Sequence, residues 1–174
     1  MDSILKKYSK FDGIWHFTDL SNVDLIKQNN GLLSLAELNR RGISIPAPGG
    51  NEWSHTADSQ KGVDDYVHLA FLDDHPMLYM AKNDNRIQNA VWLKIDVSVL
   101  SNPNVRFTSD VSNKAGIELL TLDQAREKID FEVLFTYLDW KNPDIQLRRK
   151  AALKSEILIP KHIPLEKILG KKNG

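Results

Sequence analysis

The sequence predicts an α+β fold, because strand-like and helix-like segments mix without the regular alternation of a doubly wound sheet. Short runs rich in β-branched and aromatic residues indicate the strands. Capping residues and helical spacing between those runs indicate the helices. The sequence has no glycine-rich phosphate loop, since Gly49-Gly50 has neither a strand before it nor Lys-Ser/Thr after it. A nucleotide ligand therefore needs another architecture.

Length and composition predict one globular domain over residues 1–174. The formal net charge is zero, with 23 basic and 23 acidic residues, so a nucleic-acid partner requires a local groove rather than a global positive field. The lack of cysteine excludes disulfides, a thiolate nucleophile and cysteine-based zinc sites. Five scattered histidines lack the spacing of a metal-binding helix, and no metal is expected.

The sequence carries no signal for a membrane. No run approaches the about 18 apolar residues that span a bilayer. Residues 1–10 contain lysines but lack the apolar segment of a signal peptide. We therefore expect no membrane partner and a cytoplasmic location.

The first strand is predicted at residues 14–18, where large apolar and polar residues alternate. His16 and Thr18 share one face of this strand, because successive side chains point to opposite faces. Ser21, with Asp24 three residues later, forms a capping-box pattern. A helix is therefore expected to begin at Ser21.

The chain then passes from helix to loop. Gly31 is expected to end the first helix, and Ser34 with Glu37 forms a second capping box. This second helix is predicted to stop at residues 40–42. Residues 43–64 lose periodicity and contain proline and glycine, and a loop of this length in a compact domain is either a functional lid or disordered.

The central part of the chain is predicted to hold three strands and one helix. The strands are residues 66–72, 90–95 and 105–108, and a polar turn follows at 109–116. Pro76 occupies the first helical position, where its missing N–H has no intrahelical partner to lose. The residues expected to face inward from this helix are Met77, Leu78, Met80 and Ala81.

The last third of the chain is predicted to be helical up to a final buried strand. Thr121 forms a capping box with the glutamine three residues later, and the apolar residues 131–138 continue that helix. A basic helical turn at 144–154 leads into an apolar strand at 157–159, which is typical of a strand buried on both faces. Residues 163–168 form a last short strand or turn before a lysine-rich tail.

Glu156 stands where the buried strand enters the core, so its carboxylate is either paired or functional. The residues alone favour an ion pair with the basic turn before it. His16, on a mainly apolar strand, is by the same standard typical of a core histidine bonded to backbone. The segments upstream of Glu156 favour a functional role instead.

Four stretches resemble, in their order and spacing, the DarT family of DNA ADP-ribosyltransferase toxins. Each stretch is short, but together they extend from about residue 14 to about residue 168. They are Ile14-Trp15-His16-Phe17-Thr18 with Gly31-Leu32-Leu33-Ser34 one helix later, Asp65-Tyr66-Val67-His68-Leu69-Ala70-Phe71 running into His75-Pro76-Met77-Leu78-Tyr79, Ala90-Val91-Trp92-Leu93, and Lys154-Ser155-Glu156-Ile157-Leu158-Ile159-Pro160.

The resemblance implies an ADP-ribosyltransferase fold, in which a split pair of small sheets clamps NAD in a cleft. The family reaction transfers ADP-ribose from NAD to a base in single-stranded DNA, and a macrodomain antitoxin is the usual partner. On this sequence Glu156 matches the catalytic glutamate. The residues that match cofactor-binding positions are His16, Phe17, Thr18, Gly31, Met77 and Tyr79.

The loop before residues 66–72 departs from the family pattern. Many relatives carry there an arginine that takes part in catalysis and contacts NAD, whereas Asn51 to Gly62 contains none. We expect Lys61, the loop's only basic residue, to act in catalysis, because burial lowers the pKa of a lysine until it serves as a base. A solvated loop lysine fits the sequence equally well. Arg41 is the alternative cation for the cofactor.

The candidate nucleic-acid contacts are Trp53, Arg148, Arg149 and Lys154. Trp53 stands in the polar loop, where an aromatic ring either stacks on an unpaired base or packs on the core. The basic residues before Glu156 either bind phosphates or form a solvated face. The acceptor thus stays open between thymine, guanine, an RNA base and a protein side chain. The alternatives to a nucleic-acid transferase are an NAD glycohydrolase and a non-catalytic nucleic-acid-binding module.

Overall fold

The computed structural model describes residues 1–8, 11–48 and 62–174. The strands are β1 (Ile14–Asp19), β2 (Gly31–Leu33), β3 (Tyr66–Ala70), β4 (Ala90–Ile95), β5 (Arg106–Thr108), β6 (Glu156–Pro160), β7 (His162–Pro164) and β8 (Ile168–Asn173). The helices are α1 (Asp2–Leu5), α2 (Val23–Gln28), α3 (Leu35–Arg40), α4 (Pro76–Asn83), α5 (Leu122–Lys128), α6 (Phe131–Phe135) and α7 (Pro143–Ala152). This mixture of helices and antiparallel strands confirms the predicted α+β class.

Six strands form the main sheet in the order β5-β6-β3-β1-β4-β8, and β2 pairs with β7 in a separate ribbon. β1 and β4 are registered from Ile14↔Ile95 to Asp19↔Ala90, and β3 and β6 from Tyr66↔Pro160 to Ala70↔Glu156. The centre of the sheet is different, because β1 and β3 share the single registered pair Trp15↔Ala70. The sheet therefore divides into the halves β5-β6-β3 and β1-β4-β8, which confirms the expected split.

The main core includes Ile14, Leu93 and Ile95 of β1 and β4 as well as buried residues of β6. Ile157, Leu158 and Ile159 are all buried, so the prediction of a strand covered on both faces is confirmed. Phenylalanine rings from β3's end, β5 and α6 stack and meet edge to face beside them, with centroid separations of 5.4 to 6.4 Å. Their burial and ring contacts stabilise the half that holds Glu156.

Several predicted helix starts are confirmed. The Ser34 hydroxyl accepts from the N–H of Glu37, and the Thr121 capping box is complete on both sides. Pro76 is the first residue of α4, with His75 as its N-cap. The start predicted at Ser21 is wrong. Asp19 accepts from the Ser21 N–H and caps a 3-10 turn at Leu20–Asn22, after which α2 begins at Val23.

Gly31 does not end a helix. The left-handed residue after α2 is Asn30, with φ of 57°, and Gly31 is the first residue of β2. A Cβ on Gly31 would lie 2.0 Å from the carbonyl oxygen of Ile163 in the paired strand β7. The glycine is therefore required by the close approach of two strands and by its own φ of 135°.

Three further differences from the prediction concern helix faces and the chain end. Met80 is 51% exposed rather than inward, while Leu78 and Ala81 of the same helix are buried. The run 131–138 does not continue α5, because Asp130 accepts from the N–H of Val133 and starts α6. The lysine-rich tail is the edge strand β8 paired with β4. Of the predicted loop at 43–64, residues 49–61 lie outside the described residues, and 43–48 form no helix or strand.

Candidate active site

A cavity of about 230 Å³ opens where β1 and β3 separate. Both halves of the sheet line it: β1 contributes residues 15–18, β3 its full length and β6 its first residue. The ribbon strand β2, the helices α2 and α3, the start of α4 and residues 111–113 after β5 also line it. A wall that is mostly apolar, with few polar groups converging on it, is typical of a site for a small ligand with rings.

Glu156 reaches this cavity because α7 ends four residues before it and delivers the chain between β3 and β5. Its register partners are Ala70 and Thr108. Its Oε2 accepts a hydrogen bond from the backbone N–H of Ser112 at 2.5 Å, and its Oε1 lies 3.8 Å from Nδ1 of His68. The residue is 7% exposed, so the carboxylate is held in a nearly water-free position.

The Glu156 carboxylate is ionised despite this burial. Burial raises its pKa, but the nearby rings of His68 and His75 and the hydrogen bond from Ser112 together lower the pKa to about 2. The ion pair expected with the basic turn is not formed, because Arg148 binds Asp130 and Glu132 instead. A fixed negative charge therefore faces the cavity at neutral pH.

His68 is held at both ring nitrogens. Its Nε2 lies 2.9 Å from the carbonyl oxygen of Val63, and its Nδ1 lies 3.1 Å from Oγ of Ser112. A carbonyl only accepts, so Nε2 carries a proton. The imidazole thus connects β3 to the turn at 109–116 that holds Ser112.

His16 crosses the opening between the two halves of the sheet. Its Nδ1 donates to the carbonyl of His68 at 2.9 Å, which leaves Nε2 as a hydrogen-bond acceptor. Burial lowers the pKa of His16 to about 4, while the hydrogen bond to the His68 carbonyl opposes this effect and the nearby His68 imidazole adds to it. His16 is therefore both bonded to backbone, as the residues alone indicated, and a neutral group in the cavity wall.

His75 is a second buried histidine of the wall. Its Nδ1 accepts from the N–H of Met77 at the start of α4, so the proton lies on Nε2. Among the described residues, Nε2 has no hydrogen-bond partner. Burial lowers the pKa of His75, against the effects of Glu156 and of the Lys154 carbonyl. The Nε2 atom has almost no accessible surface, so it lies behind the cavity wall and does not face a ligand.

Most of the candidate cofactor residues meet in this cavity. The residues that line it together with Glu156 are His16, Phe17, Thr18, Gly31 and Met77. Tyr79 does not line it and is 69% exposed on α4. Arg41 is exposed, outside the lining, and its Nε binds Glu37 at 2.9 Å. Lys61 lies outside the described residues.

The candidate nucleic-acid residues have other surroundings. Arg148 is bound by two carboxylates, and the Arg149 guanidinium lies 5.2 Å from the ring centroid of Trp140. Neither residue lines the cavity, and neither does Lys154. Lys154 does act on Asp110, in the turn that carries Ser112. Trp53 lies outside the described residues.

Sequence reasoning missed the polar residues that surround Glu156. His68 had a signal, since it is the one basic residue in an apolar strand. Ser112 had none, because a serine in a polar turn is ordinary and its approach to Glu156 depends on how β5 and β6 pair. Asn22, whose side chain binds Thr18 and both backbone groups of Ala47, was also missed.

A buried, ionised glutamate beside a neutral histidine, in the cleft of a split sheet, defines an NAD-dependent ADP-ribosyltransferase, which is a glycosyltransferase with NAD as its co-substrate. Residues 15–170 match DarT, described as ssDNA thymidine ADP-ribosyltransferase. The chain belongs to the DarT family. Comparison with curated proteins gives no significant match.

Solved DarT structures share the fold. One is Thermus sp. 2.9 DarT in complex with ADP-ribosylated ssDNA, with a TM-score of 0.65 and 16% identity over 92% of this chain and 80% of that chain. Another is the same protein in complex with NAD+, with a TM-score of 0.58, 18% identity and coverage of 92% and 81%. Thermosipho africanus DarTG in complex with ADP-ribose has a TM-score of 0.68 at 15% identity, over 92% of this chain and 43% of that chain.

Residues 1–8, 11–48 and 62–174 contain no helix with the length and apolar character needed to cross a bilayer. Nor do these residues include a group of three or more histidine, aspartate or glutamate side chains placed to hold a metal ion.

Proposed function

We propose that this protein transfers ADP-ribose from NAD to the thymine base of single-stranded DNA. The observation that carries the proposal is the buried Glu156 carboxylate, which is ionised and faces a cavity between the two halves of the sheet. The family description and the Thermus complex with ADP-ribosylated ssDNA support the choice of acceptor.

The chemistry requires such a carboxylate. Breaking the bond from nicotinamide to ribose builds positive charge on the sugar, as in glycoside cleavage. We assign Glu156 to stabilise that charge through its Oε1, in a cleft where little water screens it. We assign His16, Phe17, Thr18, Gly31 and Met77 to the binding of NAD, with Nε2 of His16 as a hydrogen-bond acceptor.

The proposal extends to the biological setting. We infer a single transferase domain over residues 1–174 that acts as a toxin on cytoplasmic DNA, with a macrodomain protein as its antitoxin. This chain matches 43% of the Thermosipho africanus DarTG chain. That similarity supports a toxin–antitoxin setting for this protein.

Intact-mass spectrometry of single-stranded DNA and RNA oligonucleotides, after incubation with the protein and NAD, tests the reaction. We expect the mass of one ADP-ribose on thymine-containing DNA and none with Glu156→Gln, which keeps the side-chain shape and removes the charge. Consumption of NAD with unmodified oligonucleotides would indicate a glycohydrolase or a protein acceptor instead. Modification of RNA alone would change the acceptor class.

A further inference from the structure

Ser112 and His68 form a hydrogen-bonded pair beside Glu156 that the family assignment does not explain. Oγ of Ser112 lies 3.1 Å from Nδ1 of His68, and all three residues line the cavity. Ser112 is 2% exposed, and its backbone N–H is the group that binds Glu156. The backbone of Ser112 therefore fixes the carboxylate, while its hydroxyl is directed to the imidazole.

The direction of the Ser112–His68 hydrogen bond follows from the other side of the ring. Nε2 of His68 donates to the Val63 carbonyl, so in the neutral imidazole Nδ1 carries the lone pair. The Ser112 hydroxyl then donates to Nδ1. A proton that reaches the hydroxyl from the cavity can thus pass to His68 in one step.

The proposed reaction needs a proton acceptor of this kind. Thymine in DNA attacks through N3, and its N3–H is uncharged at neutral pH, so this proton has to leave as the bond to ribose forms. Glu156 is assigned to the positive charge on the ribose and its Oε2 already accepts from Ser112, and Nε2 of His16 is assigned to NAD. Nδ1 of His75 already accepts from Met77.

We propose that Ser112 and His68 act as a relay that takes the N3 proton of the attacking thymine, an inference that rests on the proposed function. The N3–H bond breaks and its proton moves to Oγ of Ser112, while the serine's own proton moves to Nδ1 of His68. N3 forms its bond to the ribose carbon, and nicotinamide leaves as a neutral ring with the electron pair of the broken bond. The positive charge lost by the nicotinamide ring appears on His68, 3.8 Å from Glu156.

Two variants remove the relay while keeping its surroundings. Ser112→Ala deletes the hydroxyl and keeps the backbone N–H that binds Glu156. His68→Gln keeps an N–H donor for the Val63 carbonyl and lacks a nitrogen that takes up a proton. His162→Gln is the matched control, because Nε2 of His162 also binds a backbone carbonyl, that of Asn30, and His162 does not line the cavity.

The experiment compares two acceptors that differ in acidity and hardly in shape. Initial rates of transfer are measured at saturating NAD on a single-stranded oligonucleotide that contains one thymine, and on one with 5-trifluoromethyluracil in its place. The trifluoromethyl group withdraws electrons and makes N3–H more acidic. Thermal melting of each variant checks that it is folded.

We expect Ser112→Ala and His68→Gln to slow transfer to thymine by about 100-fold, within the range for a lost general base. On 5-trifluoromethyluracil the decrease in their transfer rate relative to wild type should be at least tenfold smaller, because the N3 proton of that base is more acidic. His162→Gln should leave the rates on both bases unchanged. Equal losses on both bases in folded variants would overturn the relay and make the two residues supports for Glu156. A wild-type protein that modifies neither oligonucleotide would overturn the proposed function, and the relay with it.

Discussion

Asp19 and Glu156 are two buried carboxylates at strand ends with different tasks. Asp19 is the last residue of β1 and Glu156 the first residue of β6, and they are 4% and 7% exposed. The pKa of each is lowered to about 2. Burial and acidity therefore do not distinguish the two groups, whereas their hydrogen bonds do.

Asp19 uses both oxygens within the protein. Oδ1 accepts from the N–H and the hydroxyl of Ser21, and Oδ2 accepts from the N–H groups of Gln88 and Asn89, all at 2.8 to 2.9 Å. Oε2 of Glu156 accepts from Ser112, while Oε1 lies 3.8 Å from Nδ1 of His68 in the cavity wall. A carboxylate whose two oxygens accept four hydrogen bonds from the protein fastens the chain, whereas one that makes fewer such bonds and lines a cavity can bind a ligand.

The largest expected effect is the loss of transfer in Glu156→Gln. The amide keeps the size of the side chain but cannot stabilise positive charge on the ribose, so we expect the rate of ADP-ribosylation to fall by about 1,000-fold or more. The free energy of unfolding should also fall, by about 1 to 3 kcal/mol, because an amide makes weaker hydrogen bonds than a buried, ionised carboxylate. Quantitative mass spectrometry and urea unfolding measure the two quantities.

Asp19→Asn is the matched change at the other carboxylate and should lower stability without lowering activity. Its amide nitrogen cannot accept, so two of the four donors lose their partner, at a cost of about 2 to 4 kcal/mol of unfolding free energy. Under conditions where the variant is folded, its transfer rate should match the wild type. A variant of normal stability with low activity would assign Asp19 to the site and remove the distinction.

The role of Glu156 could be predicted from the sequence, whereas the role of Asp19 could not, because the first follows from a local motif and the second from contacts between distant segments. Glu156 opens an apolar strand and lies in a motif shared with a known family. Asp19 binds backbone groups about 70 residues away. The sequence assigned the cap to Ser21, because a capping box is a local pattern and the true acceptor lies two residues earlier.

Elements defined by local chemistry were predicted most accurately. The strands at β3, β4 and β6 and the caps at Ser34 and Thr121 follow from neighbouring residues alone. The approach of Ser112 to Glu156 and the place of Gly31 against β7 depend on strand pairing between distant segments. The lysine-rich tail had no apolar pattern, yet it forms β8 because backbone bonds to β4 need no particular side chains.

Acid titration measures how much the ionised carboxylate of Asp19 contributes to the free energy of unfolding. Burial raises its pKa, but the hydrogen bonds from Asn89, Ser21 and Gln88 outweigh it and lower the pKa from 3.8 to about 2. The folded protein thus keeps the carboxylate ionised where the unfolded chain takes up a proton, and stability falls as the pH drops through this interval. The difference in unfolding free energy between wild type and Asp19→Asn should be full above pH 3.8 and shrink towards pH 2. Urea unfolding across this range measures it, and a constant difference would contradict it.

The smallest effect is expected at Arg148, a third charged group whose bonds are also made within the protein. Its guanidinium binds Asp130 and Glu132 on a half-exposed surface, so Arg148→Ala should lower the melting temperature slightly and leave DNA affinity unchanged. Lys154→Ala is the comparison, because Lys154 lowers the pKa of Asp110, in the turn that carries Ser112, and we expect it to contact a phosphate of the bound strand. It should reduce the slope of log affinity against log salt by about 0.7, the value for one lost contact with a single strand. Fluorescence anisotropy of a labelled oligonucleotide over a salt series measures both slopes. A change of slope in Arg148→Ala alone would mean that Arg148 leaves Asp130 and Glu132 to bind DNA. Hydrogen bonds within the protein would then not distinguish structural charges from functional ones.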